Sequence, residues 1–422
     1  MQKTDELYMT EWKTYKLGDI ADIQTGPFGS QLHNKDYATI GSPIVTVEHL
    51  GNRRFTTQNL PLVSDTDKAR LSKYVLSEGD IVFSRVGSVD RCSYVSEAED
   101  GWLFSGRCLR VRCNEKAYPL YVYYYFCLEC IKQYVRNVAV GATMPSINTQ
   151  IMSEIPISLP GLEEQRRIAG ILGTIDDKIE CNRRINTNLE SQAQALYKQW
   201  FVDFEFPNDE GKPYKSSGGK MVDSALGPIP EGWSEKGFCE VVDIKGGGTP
   251  QTNNHEYWTG TIPFFTPKDV SQNNFVIKTE KYITELGLAN CSSKLYEKNT
   301  VFITARGTVG KIVMAGCPMA MNQTNYALIG KNGISQYFVY LSTIQLVDML
   351  LKKANGAVFN AITTKDFEGE KIIYPNDNVL NSFVEIVSSI YEQILTSIIE
   401  NERLATLRDT LLPKLMNGEI KI

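Results

Sequence analysis

The feature that most constrains this 422-residue chain is an internal repeat, which must be found first because it decides the fold as a whole. Matching segments recur at a spacing of about 220 residues, as between Gly87 and Gly307. The matching pairs are Trp12 with Trp233, Leu17–Ile23 with Val241–Ile244, Gln24–Gly29 with Lys245–Pro250, Ser42–Thr46 with Ile262–Thr266, Asp80–Val89 with Asn299–Val309, and Gly141–Ala142 with Gly356–Ala357. A near-constant shift over so many segments indicates two related globular segments.

The local patterns predict a mixed α/β structure for each copy. The matching segments are short runs of β-branched and aromatic residues that end in glycine-centred loops, which is typical of strands and turns. Aromatic helices are predicted at Leu120–Tyr134 and Tyr337–Leu351, and each copy closes with a strand that ends at Pro160 or Pro375. We therefore expect an α+β chain with two mixed α/β domains.

A long helix is predicted after each globular segment. The first spans about Leu162–Phe201 and carries acidic residues in its first turn, where the helix dipole favours them. Its inward positions recur at alternating steps of four and three, the heptad of a coiled coil: Ile168, Leu172, Ile175, Ile179, Asn182, Asn186, Leu189, Ala193, Leu196 and Trp200. The second helix is predicted at about Val379–Leu412, with Pro413 and Gly418 marking its end. Neither has a domain beside it in sequence, so we expect the two helices to pack on each other.

The repeat predicts how the helices pair. If the copies are related by a pseudo-twofold axis, the helices form an antiparallel coiled coil whose midpoints meet. Asn182 and Asn401 are then opposite, and we predict that they contact each other and set the register, because a buried asparagine is best matched by another. The alternative is that one or both face solvent. The predicted segments are 1–160, a spacer helix at 161–206, 207–376 with a linker at 207–230, and a second spacer helix at 377–422.

Composition limits the classes of function. Met1–Thr10 lacks the apolar stretch of a signal peptide, and no run of eighteen uncharged apolar residues predicts a membrane span. The nine cysteines follow no secreted-scaffold spacing and indicate reduced thiols, so we expect a cytoplasmic protein that binds no membrane. The formal net charge of −5 counts against a stand-alone DNA-binding protein, because phosphate neutralisation needs lysine and arginine. DNA binding would require local basic clusters or a partner subunit.

The motifs of several enzyme classes are absent. There is no GxxxxGK[ST] phosphate loop, no GxGxxG after a strand and no Asn-Pro-Pro-aromatic or Asp-Pro-Pro-aromatic tetrapeptide of an amino-methyltransferase. Only three histidines are available for acid–base or metal chemistry. Cys127 and Cys130 form a CxxC pair downstream of Cys108 and Cys113, which could bind zinc, but two thiols packed in a buried aromatic helix explain it better. We expect no catalytic residues and no metal site.

The glycine loops are the best candidates for a binding site. Arg85 beside Ser88, and Arg306 beside Thr308 and Lys311, place cations next to a backbone that can approach a polyanion closely. The alternative is a hairpin loop with an incidental arginine, but its presence in both copies favours DNA contact. Further polar loop residues are candidates for DNA contact: Gln31, Arg53, Arg54, Thr249, Lys268, Gln323 and Asn325. The two arginines differ by one position relative to the shared glycine, so their roles need not be the same.

Two alternating globular segments and long helices resemble the specificity subunit of Type I restriction-modification enzymes. The resemblance is carried by segments around the helices: Leu159–Ala169, Asn182–Glu190, Ala195–Phe204 and Leu411–Ile420. It covers nearly the whole chain, whereas the globular segments match only by pattern.

This resemblance implies a division of labour. Each globular segment would be a target recognition domain that reads one half of a split DNA sequence, and the helices would fix the gap. Two modification subunits carrying S-adenosylmethionine would methylate adenine, and restriction subunits using ATP and Mg would cleave. Two alternatives stay open: a specificity subunit of a related Type IIB-like bipartite system, and a non-catalytic adaptor that binds proteins.

Overall fold

The computed structural model describes residues 12–28, 31–33, 36–353 and 361–422. Glu11, Gly29 and the predicted repeat segment Gly356–Ala357 lie outside the described residues. The chain forms two compact units. Unit 1 comprises Met1–Lys178 and Leu404–Ile422, and unit 2 comprises Ile179–Arg403. This division differs from the four predicted segments, because both boundaries fall inside the long helices and each unit includes part of each helix.

Unit 1 is built on two four-stranded sheets. Its strands are β1 (Lys13–Lys16), β2 (Ala21–Thr25), β3 (Tyr37–Ala38), β4 (Ser42–Val45), β5 (Leu62–Val63), β6 (Ile81–Ser84), β7 (Cys92–Tyr94), β8 (Leu103–Phe104), β9 (Cys108–Cys113) and β10 (Pro156–Leu159). Its shorter helices are α1 (Leu17–Ile20), α2 (Asp65–Arg70), α3 (Pro119–Cys127), α4 (Glu129–Val138) and α5 (Thr149–Ser153). The sheets have the orders β2-β9-β6-β7 and β3-β5-β4-β8, and β1 pairs with β10.

Alternation along β6 explains how unit 1 is layered. Successive side chains of a strand point to opposite faces of the sheet. Ile81 and Phe83 pack in the cluster that contains the aromatic residues of α3, whereas Val82 packs with Val45 and Phe104 of the second sheet. The β2-β9-β6-β7 sheet is therefore covered on both faces.

Unit 2 has a similar plan, with one five-stranded and one three-stranded main sheet. Its strands are β11 (Met221–Val222), β12 (Ile229–Pro230), β13 (Ser234–Gly237), β14 (Val242–Gly246), β15 (Trp258–Phe265), β16 (Phe275–Val276), β17 (Lys281–Ile283), β18 (Val301–Thr304), β19 (Ile312–Ala315), β20 (Ala320–Met321), β21 (Asn325–Gly330) and β22 (Lys371–Tyr374). Its helices, apart from the two long ones, are α7 (Phe238–Val241), α8 (Glu285–Ala289), α9 (Gln336–Lys353) and α10 (Thr364–Glu368). The main sheets are β14-β21-β18-β19-β16 and β17-β15-β20.

The predicted internal repeat is confirmed by the order of four strands in the main sheet of each unit. The order β2-β9-β6-β7 in unit 1 corresponds to β14-β21-β18-β19 in unit 2. In both units a parallel pair joins the second sheet, β4 with β8 and β15 with β20. The alternation is also kept, because Val301 and Ile303 pack in one cluster and Phe302 in another. The predicted closing strands correspond to β10 and β22.

Two helix predictions need correction. The aromatic helix expected at Leu120–Tyr134 is interrupted at Leu128, whose extended backbone (φ −61°, ψ 131°) separates α3 from α4. Cys127 and Cys130 therefore lie on different helices rather than in one buried turn, and Cys130 is exposed. The second long helix, α11 (Asp377–Met416), also continues through Pro413 instead of ending before it.

The first long helix, α6 (Leu162–Phe201), has the predicted bounds, and every predicted inward position on it is buried or half-buried. In unit 1, Ile168 and Leu172 of α6 pack with Leu412 and Leu415 of α11. The same cluster includes α3, so the helices also pack against the globular segment and not only on each other. Since residues near the N-terminus of α6 pack against residues near the C-terminus of α11, these segments run antiparallel, as predicted.

In unit 2 the two long helices also run antiparallel. The Trp200 and Phe383 rings pack with centroids 5.6 Å apart, and the predicted contact between Asn182 and Asn401 is present. The buried Asn182 side chain donates to Asn401 Oδ1 at 2.8 Å and to Glu400 Oε2 at 2.7 Å. The role of this contact in setting the register stays a prediction.

By length and composition, α11 is long and apolar enough to cross a membrane, although no membrane span was predicted from the sequence. The packing of α11 in a hydrophobic core explains this apolar composition. Phe383, Val387, Tyr391, Ile394 and Ile398 are all buried in the core of unit 2. The apolar stripe of α11 is thus the packed face of a core helix.

Candidate nucleic-acid interface

The glycine loop of unit 2 is a closed turn that presents its tip to solvent. Strand β18 ends at the buried Thr304, whose backbone N–H donates to the Lys311 carbonyl at 2.9 Å and whose carbonyl accepts the Gly310 N–H at 2.9 Å. The Thr304 hydroxyl donates to the Thr308 carbonyl across the loop. The Arg306, Thr308 and Lys311 side chains are left exposed. The loop is therefore fixed at its base while its polar residues face solvent.

Gly307 at the tip is required for its backbone conformation. Its φ of +82° lies in the left-handed region, which side chains disfavour. A Cβ atom there would meet nothing within 4 Å, so space is not the constraint. Gly87 in unit 1 has the same φ of +82° and the same open surroundings. Both loops leave the backbone open to close approach by a ligand.

A positively charged depression lies beside the unit 2 loop. It has a volume of about 410 Å³ and is lined by Thr266, Pro267, Lys268, Glu280, Lys281, Arg306, Gly307, Asn322 and Thr324. Three of these residues are cationic and one is acidic. The carboxylate of the neighbouring Asp269 is already occupied, because it accepts the N–H groups of Thr266 and Glu280, each at 2.7 Å. The depression can therefore bind an anion such as a phosphate through charge and hydroxyl donors.

The structure brings several predicted residues of unit 2 together. Lys268 and Arg306 line the depression. Thr249 and Gln323 are both exposed, and the Thr249 hydroxyl donates to Gln323 Oε1. The assignment of Asn325 to DNA contact needs correction. Asn325 is fully buried at the start of β21, where its Nδ2 donates to Asn322 Oδ1 at 2.7 Å. Asn325 stabilises the loop from inside and is not available for DNA.

The unit 1 loop has the same backbone but a different surface. Ser84 at the end of β6 donates its hydroxyl to the Val86 carbonyl at 2.9 Å, and the Gly87 N–H donates to the Pro145 carbonyl at 2.8 Å. The half-buried Arg85 guanidinium lies over the Phe28 ring, 4.4 Å from its centroid. Ser88 is exposed at the tip. Arg85 is thus held as a flat cation–π pair rather than extended into solvent.

The other unit 1 candidates are held by contacts within the unit. Gln31 is exposed, but its Oε1 accepts the Tyr74 hydroxyl at 2.7 Å. The structure contradicts the assignment of Arg53 to DNA. Arg53 is buried with a φ of +63°, donates to the Gly173 carbonyl at 3.0 Å and pairs with Asp177 at 2.9 Å. Arg54 lies near the same carboxylate at 3.6 Å with its side chain one-third exposed. These two arginines anchor a loop of unit 1 to α6.

Comparison with known proteins places both units in one family. The model of the Type I restriction modification DNA specificity domain matches residues 9–191 and again 230–407. The chain belongs to the family of Type I restriction-modification DNA specificity proteins. This confirms the resemblance drawn from the helical segments. Each matched range contains one of the two glycine loops.

Relatives match this family member over nearly its whole length. The Type I restriction enzyme HindI specificity subunit of Haemophilus influenzae is 27% identical over 98% of this chain and 100% of its own. The MjaIX specificity subunit of Methanocaldococcus jannaschii is 25% identical over 98% and 94%. The crystal structure of the Type-I restriction-modification system S subunit from M. genitalium matches with a TM-score of 0.62 at 15% identity, covering 98% of both chains. At that identity the likeness shows the fold.

Sequence reasoning missed several residues at this specificity protein's loops. Lys281 and Thr324 line the depression and Phe28 underlies Arg85, yet none of them was a candidate. Lys281 reaches the depression only because β17 pairs with β15, where Lys281 lies opposite Phe264. Phe28 could have been suspected, because an aromatic residue inside a Gly-Pro-Phe-Gly turn has no buried strand to join. Among the described residues, no group of three or more His, Cys, Asp or Glu could hold a metal ion.

Proposed function

We propose that this chain is the non-catalytic DNA-recognition subunit of a Type I restriction-modification complex. Each unit would contact one half of a bipartite target, and the long helices would fix the distance between the halves. The observation that carries the proposal is the cationic depression beside a glycine loop in a chain with two copies of a DNA specificity domain. The family places the chain in DNA recognition, and the depression supplies a surface suited to a phosphate backbone.

The loop geometry suggests how contact would be made. Phosphates fix the position of a protein on the duplex, and base edges supply the sequence information. In unit 2, Lys268, Lys281 and Arg306 would neutralise backbone phosphates, while Gly307 lets the main chain approach closely. In unit 1, the Arg85–Phe28 pair would present a flat cationic face to the DNA. The arrangement binds and orients DNA and provides no reacting group.

The partners supply the chemistry in this proposal. Two modification subunits would bring S-adenosylmethionine and methylate adenine, and restriction subunits would bring ATP and Mg. They would also supply most of the phosphate contacts, which is consistent with a DNA-binding chain of net charge −5. We place the complex in the cytoplasm, where the thiols stay reduced and genomic DNA is present.

The proposal is tested by methylome sequencing. The chain is expressed with its modification subunits in a host free of other adenine methylation, and modified adenines are read by single-molecule sequencing. We expect one bipartite motif with a constant gap between its halves. Methylation at a single uninterrupted motif, or methylation independent of this chain, would overturn the proposal. Expression of the modification subunits without this chain is the control.

A further inference from the structure

Gln323 lies at the apex of a turn whose backbone is locked from inside. The carbonyl oxygen of the Asn322 side chain accepts three hydrogen bonds: from the Thr324 N–H at 3.1 Å, from the Thr324 hydroxyl at 2.8 Å and from Asn325 Nδ2 at 2.7 Å. The Asn322 N–H donates to the Phe265 carbonyl at 3.0 Å, which fixes the turn to β15. Gln323 is exposed at its tip, so a rigid support holds a solvent-facing amide.

A second loop holds the side chain of Gln323. The Gly248 N–H donates to the Met321 carbonyl at 3.1 Å. A Cβ atom on Gly247 would lie 2.1 Å from the Asn322 carbonyl oxygen, so only glycine allows this approach. The approach brings Thr249 against Gln323, and the Thr249 hydroxyl donates to Gln323 Oε1. Two backbone contacts thus bring the loops together, and the hydrogen bond from Thr249 orients the Gln323 amide.

The remaining hydrogen-bonding capacity of the Gln323 amide matches one base. A carboxamide oxygen has a second lone pair beyond the one that Thr249 uses, and the Nε2 group is a donor. One acceptor and one donor side by side are complementary to the N6 and N7 positions of adenine in the major groove. Guanine presents two acceptors at this edge and is the base that arginine contacts. An amide held in this orientation is therefore suited to adenine rather than to guanine.

We propose that Gln323 reads the adenine of an A·T pair in the half-site contacted by unit 2, with Thr249 as the residue that positions its amide. The inference rests on the proposed function and names the base that one residue of it recognises. The adjacent depression supports it, because Asn322 and Thr324 on either side of Gln323 line the depression with its three cations. Phosphate contacts there would bring a base edge to the neighbouring amide.

In unit 1, the two described positions that correspond to Gln323 and Thr249 carry no amide, so the effect belongs to one half-site. The strand registers place Gly106 where unit 2 has Gln323, and Phe28 where unit 2 has Thr249. Unit 1 therefore presents an aromatic residue and a glycine at these two positions. Changes at Gln323 should leave the other half of the target unaltered.

The test compares methylated motifs in cells that express the complex with variant chains. In Gln323→Ala, one A·T position in one half-site should relax to any base, with discrimination reduced about tenfold to a hundredfold. Gln323→Glu should shift that position toward cytosine, because a carboxylate accepts from the cytosine N4 group. Thr249→Val should weaken discrimination at the same position without changing the preferred base. Gln272→Ala, at another exposed glutamine of unit 2, is the matched control.

The outcomes separate this inference from the proposed function. An unchanged motif in Gln323→Ala, or relaxation at a G·C position, would overturn the inference while a bipartite wild-type motif upholds the proposed function. Absence of any bipartite motif in the wild type would overturn both. Phe28→Ala serves to identify the halves, because its changes should appear only in the half-site that Gln323→Ala leaves intact.

Discussion

Units 1 and 2 share a strand order and a glycine loop, yet they present different chemistry at that loop. In unit 1 the guanidinium of Arg85 stacks on Phe28 and its Nε is buried without a hydrogen-bond partner among the described residues. In unit 2 Arg306 is exposed and shares a depression with Lys268 and Lys281. Topology therefore fixes the backbone of the loop, whereas the few side chains around it determine what the loop can bind.

The units also differ in how their long helices bury polar groups. In unit 1, Asp176 of α6 pairs with Arg408 of α11 at 2.6 Å and accepts the Tyr124 hydroxyl at 2.7 Å. In unit 2, a polar contact between the same two helices joins the amides of Asn182 and Asn401, and Asn182 also donates to the Glu400 carboxylate. The two contacts, each between one buried and one half-buried side chain, differ in the cost of breaking them, and this difference can be measured as a free energy of unfolding.

The largest expected effect comes from breaking the buried ion pair of unit 1. Arg408→Met leaves the Asp176 carboxylate, which is 9% exposed, without its cation. Loss of one partner of a buried pair costs about 3 kcal/mol, so the denaturant midpoint should fall accordingly. Arg403→Met, at an exposed arginine on the same helix, is the control and should change stability little. Equal effects of the two substitutions would show that the Asp176–Arg408 pair contributes no more to stability than an exposed arginine does.

The next effect concerns DNA affinity of the assembled complex. Arg306→Ala should lower affinity about tenfold and reduce the slope of log affinity against log salt by about 0.9, the value for one lost phosphate contact. Arg85→Ala should change the slope less, because its guanidinium is stacked on Phe28. Filter-binding or anisotropy titrations at several salt concentrations measure both slopes. Arg306→Lys keeps the charge and should keep the slope; a slope lost in this variant would argue against a phosphate contact.

A smaller effect is expected at the amide pair of unit 2. Asn182→Leu removes the Nδ2 group that donates to Asn401 Oδ1 and Glu400 Oε2, at a cost of about 1–2 kcal/mol. Asn401→Leu removes the acceptor at a similar cost. The double Leu variant should cost less than the two single changes together, because neither amide of the pair is then left facing an apolar side chain. Additive free energies of unfolding in this cycle, with unchanged assembly of the complex, would remove these residues from any role in register.

Much of this architecture could be predicted from sequence because it depends on periodicity. The repeat, the bounds of α6 and the Asn182–Asn401 contact all follow from spacing along the chain. Whether a single polar loop residue is buried or exposed does not follow from this spacing, because it depends on which strands pair. Arg53 and Asn325 have the sequence context of surface loop residues, yet tertiary contacts bury both. Lys281 enters the depression only through the register of β17 with β15. Its role could not be inferred from its neighbours in sequence.

Glu190 is a half-buried carboxylate on α6, in unit 2. Unlike Asp176, it forms no ion pair with any cation in the described part of the chain: Gln194 Nε2 donates to it at 2.7 Å, and the hydroxyls of Tyr391 and Tyr340 face it. Burial raises the pKa of Glu190 above its ordinary value, and the contacts with Gln194 and the two tyrosines only partly oppose this. A carboxyl group whose pKa is raised by folding favours the native state while protonated, so its contribution is present at low pH and is lost as the pH rises through the folded pKa.

Glu190→Gln should therefore remove a small pH dependence from the stability of unit 2. As the pH rises above about 4.3, the ordinary pKa of a glutamate, the free energy of unfolding of the wild type should fall relative to that of the variant, because the neutral amide needs no proton. Unfolding curves at a series of pH values measure the difference, and Glu385→Gln, at an exposed carboxylate of α11, is the control. A constant difference across this range would mean that Glu190 has the same pKa in the folded and unfolded chain. Glu190 would then differ from the Arg408-paired Asp176 in the groups that it contacts, and folding would not alter its protonation.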